Sequence, residues 1–134
     1  MAFVDTNLFV YAVDSRDLSK QRTCSALLSS LAQQGRACVS SQVVMEFASN
    51  MVRKFGLSPK QVRLLLVGFQ DFTVVPVTVA TSDRALELME TCSLSYWDAA
   101  ILSSAESAGC DILYSEDLSA GERYGAVKVL SPFS

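Results

Sequence analysis

Five short apolar segments with strand character alternate with helical segments, and this alternation constrains the fold more than any other feature of the chain. The strand segments are residues 2–4, 37–40, 72–75, 111–115 and 127–130. The segments between them carry apolar residues at intervals of three and four, which is the period of an amphipathic helix. We predict helices over about 8–13, 18–34, 41–55, 59–69, 80–91 and 96–108. Because strands separated by helices form parallel sheets, the sequence predicts an α/β fold with a central, mostly parallel sheet of about five strands covered by helices.

The length and composition agree with one globular domain over residues 1–134, since half of the residues are hydrophobic and 19% are charged. No apolar run is long enough to cross a bilayer, and the first residues lack the basic segment of a secretory signal. We therefore expect a cytoplasmic protein that makes no membrane contact. The four cysteines form no C-x-x-C pair, which favours reduced thiols packed in the core over zinc binding or disulfides.

The chain contains no histidine. This absence excludes catalytic sites of the Ser-His-Asp and Cys-His types and most zinc enzymes. The net charge of −3 does not identify a partner, because the charge that a ligand meets depends on any cation held by the acids.

Asp98 lies within an apolar helical pattern. Ile101, Leu102 and Ala105 follow it at i+3, i+4 and i+7, so the four residues share one side of the predicted helix. A carboxylate directed toward a core is costly unless it is hydrogen-bonded, protonated or paired with a cation. Ser95 and Asp98 also fit a capping box, which would make Asp98 an ordinary residue of a first helical turn. From Asp98 alone, both interpretations remain open.

Three other acids stand where a parallel fold could bring them near Asp98. Asp5 follows the first strand, Asp117 lies just beyond the fourth, and Glu46 is at the edge of the apolar stripe of its helix. Each has an ordinary alternative: Asp5 as a helix cap, Asp117 as a turn residue and Glu46 as a surface acid. Because ligands of open α/β sheets bind at the carboxyl ends of the strands, their joint placement favours one site.

The physical chemistry of four gathered carboxylates narrows what such a site can bind. Two carboxylates ~4 Å apart repel by up to about 4 kcal/mol at an effective dielectric near 20, so the group needs a cation or protons. Oxygen ligands without histidine favour Mg²⁺ or Mn²⁺. Such an ion activates a water and neutralises charge on a phosphate, so we expect metal-assisted hydrolysis of a phosphodiester.

The sequence resembles the PIN-domain ribonucleases, and more narrowly the VapC-type toxins of toxin–antitoxin pairs. The resemblance is carried by FVDTNLFVYA at 3–12, Glu46 in its helix, SYWDAAI at 95–101 and LYSEDL at 113–118. The ending Ser-Pro-Phe at 131–133 is also similar, so the resemblance covers essentially the whole chain.

The resemblance implies a PIN-like three-layer sandwich and assigns the metal-binding acids, which are Asp5, Glu46, Asp98 and Asp117. It further implies that Asn7 supports Asp5, that Ser115 places a hydroxyl beside Asp117, and that Glu116 is an outer-shell acid. The family also implies an RNA substrate, single-stranded or structured, a homodimer, and a small antitoxin protein that covers the site.

The sequence therefore predicts a Mg²⁺- or Mn²⁺-dependent endoribonuclease that hydrolyses RNA through a metal-activated water, as the toxin of a VapBC-type pair. The apolar run at 64–67 exceeds what one helix face needs and independently favours dimerisation. The alternative is a catalytically silent PIN-like module that binds RNA or protein. A phosphotransfer receiver or phosphatase is disfavoured, because Asp5 is a single acid after the first strand and Lys128 lies within the last strand.

Overall fold

The computed structural model describes residues 1–133, which form a six-stranded sheet with helices packed against it. The strands are β1 (Ala2–Val4), β2 (Ala37–Ser40), β3 (Thr73–Val75), β4 (Ile112–Tyr114), β5 (Arg123–Tyr124) and β6 (Val127–Leu130). The helices are α1 (Thr6–Val13), α2 (Leu18–Gln33), α3 (Ser41–Arg53), α4 (Pro59–Leu66), α5 (Val79–Thr91) and α6 (Tyr96–Ser107). The predicted α/β class is confirmed.

The strand order across the sheet is β3-β2-β1-β4-β6-β5, and every neighbouring pair is parallel except β5 with β6. The chain builds outward from β1 in one direction through β2 and β3, and then adds β4 on the other side of β1. The strand order therefore reverses at β1, whose Val4 pairs with Tyr114 of β4. The carboxyl ends of β1 and β4 lie side by side at this reversal, where α/β sheets bind their ligands.

The antiparallel strand β5 is the one strand that the sequence analysis missed. It has only two residues, and its hairpin with β6 turns through Gly125 and Ala126. Gly125 has a φ of 60°, which glycine adopts without strain and which tight hairpin turns require. The Gly-X pair between the two short segments is the signal that would have predicted the hairpin.

The core lies on both faces of the central strand. All three residues of β1 are completely buried, as expected of a strand in a sheet covered on both sides. Helix α6 is buried over residues 99–105, which is more than one helical face, because it packs against the sheet and against α5.

Two helix boundaries differ from the prediction for identifiable reasons. Helix α1 begins at Thr6 rather than at residue 8, because Asp5 caps it. Helix α4 ends at Leu66, and a 3₁₀ turn over Val67–Asp71 continues the predicted helix in a tighter form.

Cys24, Cys38 and Cys110 are buried free thiols, and Cys92 is a half-buried free thiol. Among residues 1–133, no helix is both long and apolar enough to span a membrane.

Candidate active site

Asp5 joins the end of β1 to the start of α1 and holds the centre of the site. Its backbone N–H donates to the carbonyl oxygen of Tyr114 (3.0 Å), which fixes it beside the end of β4. One carboxylate oxygen accepts from the backbone N–H of Thr6 (2.7 Å), so Asp5 is the cap of α1. The other accepts from the Ser115 hydroxyl (2.8 Å), a contact that capping does not require. Asp5 is 6% exposed, so both of its oxygens are held in a largely dry environment.

Ser115 links Asp5 to the segment that carries Asp117. Its buried hydroxyl oxygen also accepts from the backbone N–H of Asp117 (3.1 Å). The side chain of Asn7, in the first turn of α1, acts to lower the pKa of Asp117, against the larger raising effect of burial. Among residues 1–133, the buried amide oxygen of Asn7 has no hydrogen-bond partner. A buried oxygen of this kind is costly to leave unsatisfied, and it is a suitable ligand for a hard cation or its water.

Glu46 reaches the site from α3 and is exposed, as its position at the edge of the apolar stripe predicts. Its Oε1 atom accepts from the Thr6 hydroxyl (3.2 Å) and from the side-chain amide of Gln42 (3.1 Å). The same short α1 turn therefore orients Asp5 through a backbone donor and Glu46 through a hydroxyl. Sequence reasoning missed both Thr6 and Gln42.

Asp98 lies in the first turn of α6 and is half-buried, so its side chain is not enclosed in the core. The apolar residues that share its side of the helix are buried one turn further on, whereas Asp98 stands at the rim. Its backbone N–H donates to the Ser95 hydroxyl (3.2 Å), which forms one half of the predicted capping box. Within residues 1–133, the Asp98 carboxylate itself accepts no hydrogen bond, so its side chain does not complete the box.

The four acids affect one another electrostatically. Burial raises the pKa of Asp5 from 3.8 to about 6; the hydrogen bonds from Ser115 and Thr6 oppose this, and the charges of Asp117 and Glu46 add to it. Partial burial is the largest cause of the raised pKa of Asp117, and the charges of Asp98 and Glu116 raise it further. The group thus carries repulsion that a bound cation would relieve.

The four acids line one cleft of about 390 Å³ at the carboxyl end of β1. They do not form a closed cage, since no three acids among residues 1–133 are arranged as a ready-made metal-binding group. Mg²⁺ keeps several of its waters and is commonly held through one or two carboxylates, so an open arrangement of hard oxygen donors suits it. The donor set, which includes the unpartnered oxygen of Asn7, therefore fits Mg²⁺ or Mn²⁺.

Glu116, predicted as an outer-shell acid, does not itself line this cleft. Its carboxylate accepts from the hydroxyl of Tyr11 and lies 2.8 Å from the Nζ atom of Lys20 on α2. These hydrogen bonds lower the pKa of Glu116. The Lys20 ammonium also lies 4.6 Å from the centre of the Tyr11 ring and 5.0 Å from that of Phe133. This Lys20–Tyr11–Glu116 clasp anchors the segment after β4 to the first two helices, and no spacing in the sequence indicated it.

Three cleft residues that sequence reasoning missed could meet a ligand beyond the acids. The Arg16 guanidinium makes two 2.9 Å contacts with the Asp14 carboxylate and lies 5.0 Å from the centre of the Phe55 ring. Lys54, at the end of α3, and Trp97, next to Asp98, also line the cleft. An indole on the polar side of a predicted helix was the signal available for Trp97.

The chain belongs to the PIN-domain family, whose model matches residues 2–123. Its fold is similar to a toxin–antitoxin complex from Klebsiella pneumoniae, with 19% identity, a TM-score of 0.73, and 99% of this chain and 98% of that chain covered. It is also similar to VapC20 of Mycobacterium tuberculosis, described as a toxin that cleaves the sarcin–ricin loop, with 19% identity, a TM-score of 0.69, and 87% and 90% covered.

A third similar structure is VapBC2 from Rickettsia felis bound to a DNA fragment from its promoter, with 16% identity, a TM-score of 0.71 and 97% of each chain covered. These identities establish a common fold. No curated protein matches the chain. The resemblance to PIN-domain proteins and the predicted fold are confirmed.

Proposed function

We propose that this protein is a Mg²⁺- or Mn²⁺-dependent endoribonuclease and the toxin of a VapBC-type toxin–antitoxin pair. The observation that carries the proposal is the meeting of four carboxylates from separate elements, Asp5, Glu46, Asp98 and Asp117, in one cleft of a PIN fold. Such a cleft has no evident structural purpose, because burial, with a smaller contribution from neighbouring acids, raises the pKa of Asp5 and of Asp117 and makes their ionised forms unfavourable.

The four carboxylates and the Asn7 amide oxygen would hold the ion, in part through its bound waters. When bound, the ion would lower the pKa of a water and neutralise charge that develops on a phosphate. Ser115 and the backbone of Thr6 fix the two oxygens of Asp5 before any ligand arrives. Since ordered outer hydrogen bonds tune metal affinity, these contacts prepare the site for a cation.

The protein partners follow from other surfaces. The side chains of Leu64 and Val67 are 68% and 52% exposed, which supports a homodimer through the α4 region. An apolar hollow of about 190 Å³, bordered by Phe9, Leu65 and Phe69, offers a separate surface for an antitoxin segment. Similarity to complexes described as toxin–antitoxin and VapBC assemblies supports such a partner.

The test is cleavage of purified RNA by the wild type and three variants, read by mapping the new RNA ends. We expect the wild type to cut with Mg²⁺ or Mn²⁺ and not in EDTA. Asp5→Asn and Asp98→Asn should lower the rate by about 100-fold or more, equivalent to about 3 kcal/mol of lost stabilisation. The matched control is Glu90→Gln, which neutralises an exposed acid on α5 outside the cleft and should cut normally.

Cleavage that persists in EDTA, or that both cleft variants retain, would contradict the proposal. The catalytically silent alternative predicts that the protein binds RNA and that no new RNA ends appear with the wild type or any variant, with or without metal. A titration with Mn²⁺ separates the two further, because a silent module without a metal site would show no saturable binding.

A further inference from the structure

Trp97 is the one aromatic side chain among residues 1–133 that is mostly exposed, at 64%. Large aromatic side chains are normally placed where their area is removed from water. Trp97 instead lines the acidic cleft, where it is next to Asp98 in the first turn of α6. It also borders an adjoining hollow of about 360 Å³, together with Met45 and Tyr96.

The exposed indole is held in position rather than left loose. The Tyr96 hydroxyl hydrogen-bonds to the hydroxyl of Ser82 on α5 (2.6 Å), which anchors the Tyr96 ring. The Trp97 ring packs edge-on against Tyr96, with ring centres 5.2 Å apart and planes at 75°. An exposed aromatic surface supported in this way is ordered before a ligand binds, which lowers the entropic cost of stacking.

The cleft also carries cations that a polyanion could meet. Arg16 and Lys54 border it and line a separate adjoining hollow, which Trp97 does not touch. The side chain of Arg16 is 75% exposed although it is paired with Asp14. Lys54 makes no ion pair within the described residues. Acids, cations and an indole thus share one cleft, with the cations and the indole in different neighbouring hollows.

We propose that Trp97 is a base-stacking platform, which binds an unpaired nucleobase beside the phosphodiester held at the four acids. This inference rests on the proposed ribonuclease function and narrows its substrate to RNA with an unpaired base next to the cut. Unpaired bases of RNA are recognised by stacking on aromatic side chains, while Lys and Arg contact the backbone. The Arg16 and Lys54 side chains then receive phosphates further along the same strand.

The neighbours of Trp97 favour a nucleotide over a protein surface as the occupant. Asp98 adjoins the indole in the chain, and Glu46 and Gln42 line both the cleft and the hollow that Trp97 borders. A protein placed over the indole would also cover these carboxylates and would have to supply cationic side chains to match them. A single base covers one face of the indole and leaves the acids to the ion and the phosphate.

Trp97 is the only tryptophan of the chain, so intrinsic fluorescence reports on this side chain alone. The titration uses the Asp117→Asn protein with Mg²⁺, to prevent cleavage, and a ten-nucleotide oligouridylate as the probe. An abasic ribose-phosphate decamer of equal charge is the control ligand. We expect saturable quenching by the oligouridylate and none by the abasic strand.

Affinity is measured in parallel by the anisotropy of end-labelled oligouridylate. Trp97→Ala should weaken binding about 5- to 150-fold, and Trp97→Phe should restore most of the affinity. Leu86→Ala, a control on α5 with a comparably exposed apolar side chain, should bind as its parent does. Circular dichroism melts check that each variant is folded.

Equal quenching by the abasic strand, or an unchanged affinity of Trp97→Ala for the oligouridylate, would contradict the proposed stacking role of Trp97. Conversion of a dimer to a monomer by Trp97→Ala at unchanged RNA affinity would also overturn it, because the indole would then belong to a contact between copies. If quenching depends on the bases but the wild-type protein never cuts RNA, the stacking role of Trp97 is supported and the proposed nuclease activity is contradicted. If the wild type cuts RNA with metal but binding does not depend on the bases, the nuclease activity is supported and the stacking role of Trp97 is contradicted.

Discussion

Replacing Asp5 with asparagine removes the most deeply buried of the four cleft carboxylates and keeps its shape. Asp5 has a pKa of about 6 in the folded protein against an ordinary value of 3.8, chiefly because it is buried. A carboxyl group with a raised pKa binds its proton more tightly when folded, so its ionisation destabilises the fold as pH rises from about 4 to above 6. The difference between the two pKa values lowers the free energy of unfolding by about 3 kcal/mol. This loss of stability applies in full at pH 7.5 and disappears below about pH 3.8.

The asparagine variant avoids this cost at neutral pH but loses part of the cap. Its amide oxygen still accepts from the Thr6 N–H, but its NH2 group cannot accept from the Ser115 hydroxyl, so that charge-assisted bond is lost at a cost of about 1 kcal/mol. We therefore expect Asp5→Asn, without metal, to be about 2 kcal/mol more stable than the wild type at pH 7.5. At pH 3.5 the order should reverse, with the variant about 1 kcal/mol less stable.

The assay is urea unfolding in EDTA at both pH values, with Glu90→Gln as the control for loss of a surface charge. Saturating Mg²⁺ at 100 times its Kd should then stabilise the wild type by about 2.7 kcal/mol and the variant much less. A variant that is less stable than the wild type by the same amount at both pH values would refute the reasoning. Asp5 would then be only a helix cap.

Three further changes test other parts of the structure. Asp98→Asn should be no less stable than the wild type in EDTA, because the Asp98 side chain makes no cap bond and its charge raises the pKa of Asp117. If thermal melts show a loss of about 0.5–1 kcal/mol with and without metal, and equal Mg²⁺ shifts for both proteins, Asp98 is only a helix cap. Glu116→Gln should lower stability in urea unfolding by at most about 1 kcal/mol in low salt and by less in 1 M salt, because both side chains of the Lys20–Glu116 pair are about one-third exposed. A loss of stability that does not change with salt would contradict this. Leu64→Glu should give a monomer by light scattering at micromolar concentration where the wild type gives a dimer, and a wild-type monomer would remove the dimer proposal.

The positions of the strands and of two site acids could be predicted because each depends on local sequence. A buried strand is a short apolar run, and Asp5 and Asp117 follow the ends of such runs. Parallel strands bring their carboxyl ends to one edge, so the fold class predicts that both acids lie at that edge. The short strand β5 escaped prediction, because two residues cannot show a period and only the Gly125 turn marked it.

The contacts that orient the acids could not be predicted, because they depend on strand register and on side-chain directions. Ser115 reaches Asp5 only because Val4 pairs with Tyr114, which a sequence does not reveal. Glu116 and Asp117 are adjacent in the chain, yet only Asp117 lines the cleft. What decides between them is the Lys20 ammonium on α2, which is 96 positions away from Glu116.

The bond between Ser115 and Asp5 also sets the order in which the site can form during synthesis. It joins residues 110 positions apart, so β1 and its acid leave the ribosome long before the hydroxyl that orients them. Until residues 115–117 have emerged, the chain has neither this hydroxyl nor Asp117, and contacts of such long range form slowly. A nascent chain therefore carries no assembled cleft until residues 115–117 have emerged and have packed beside β1.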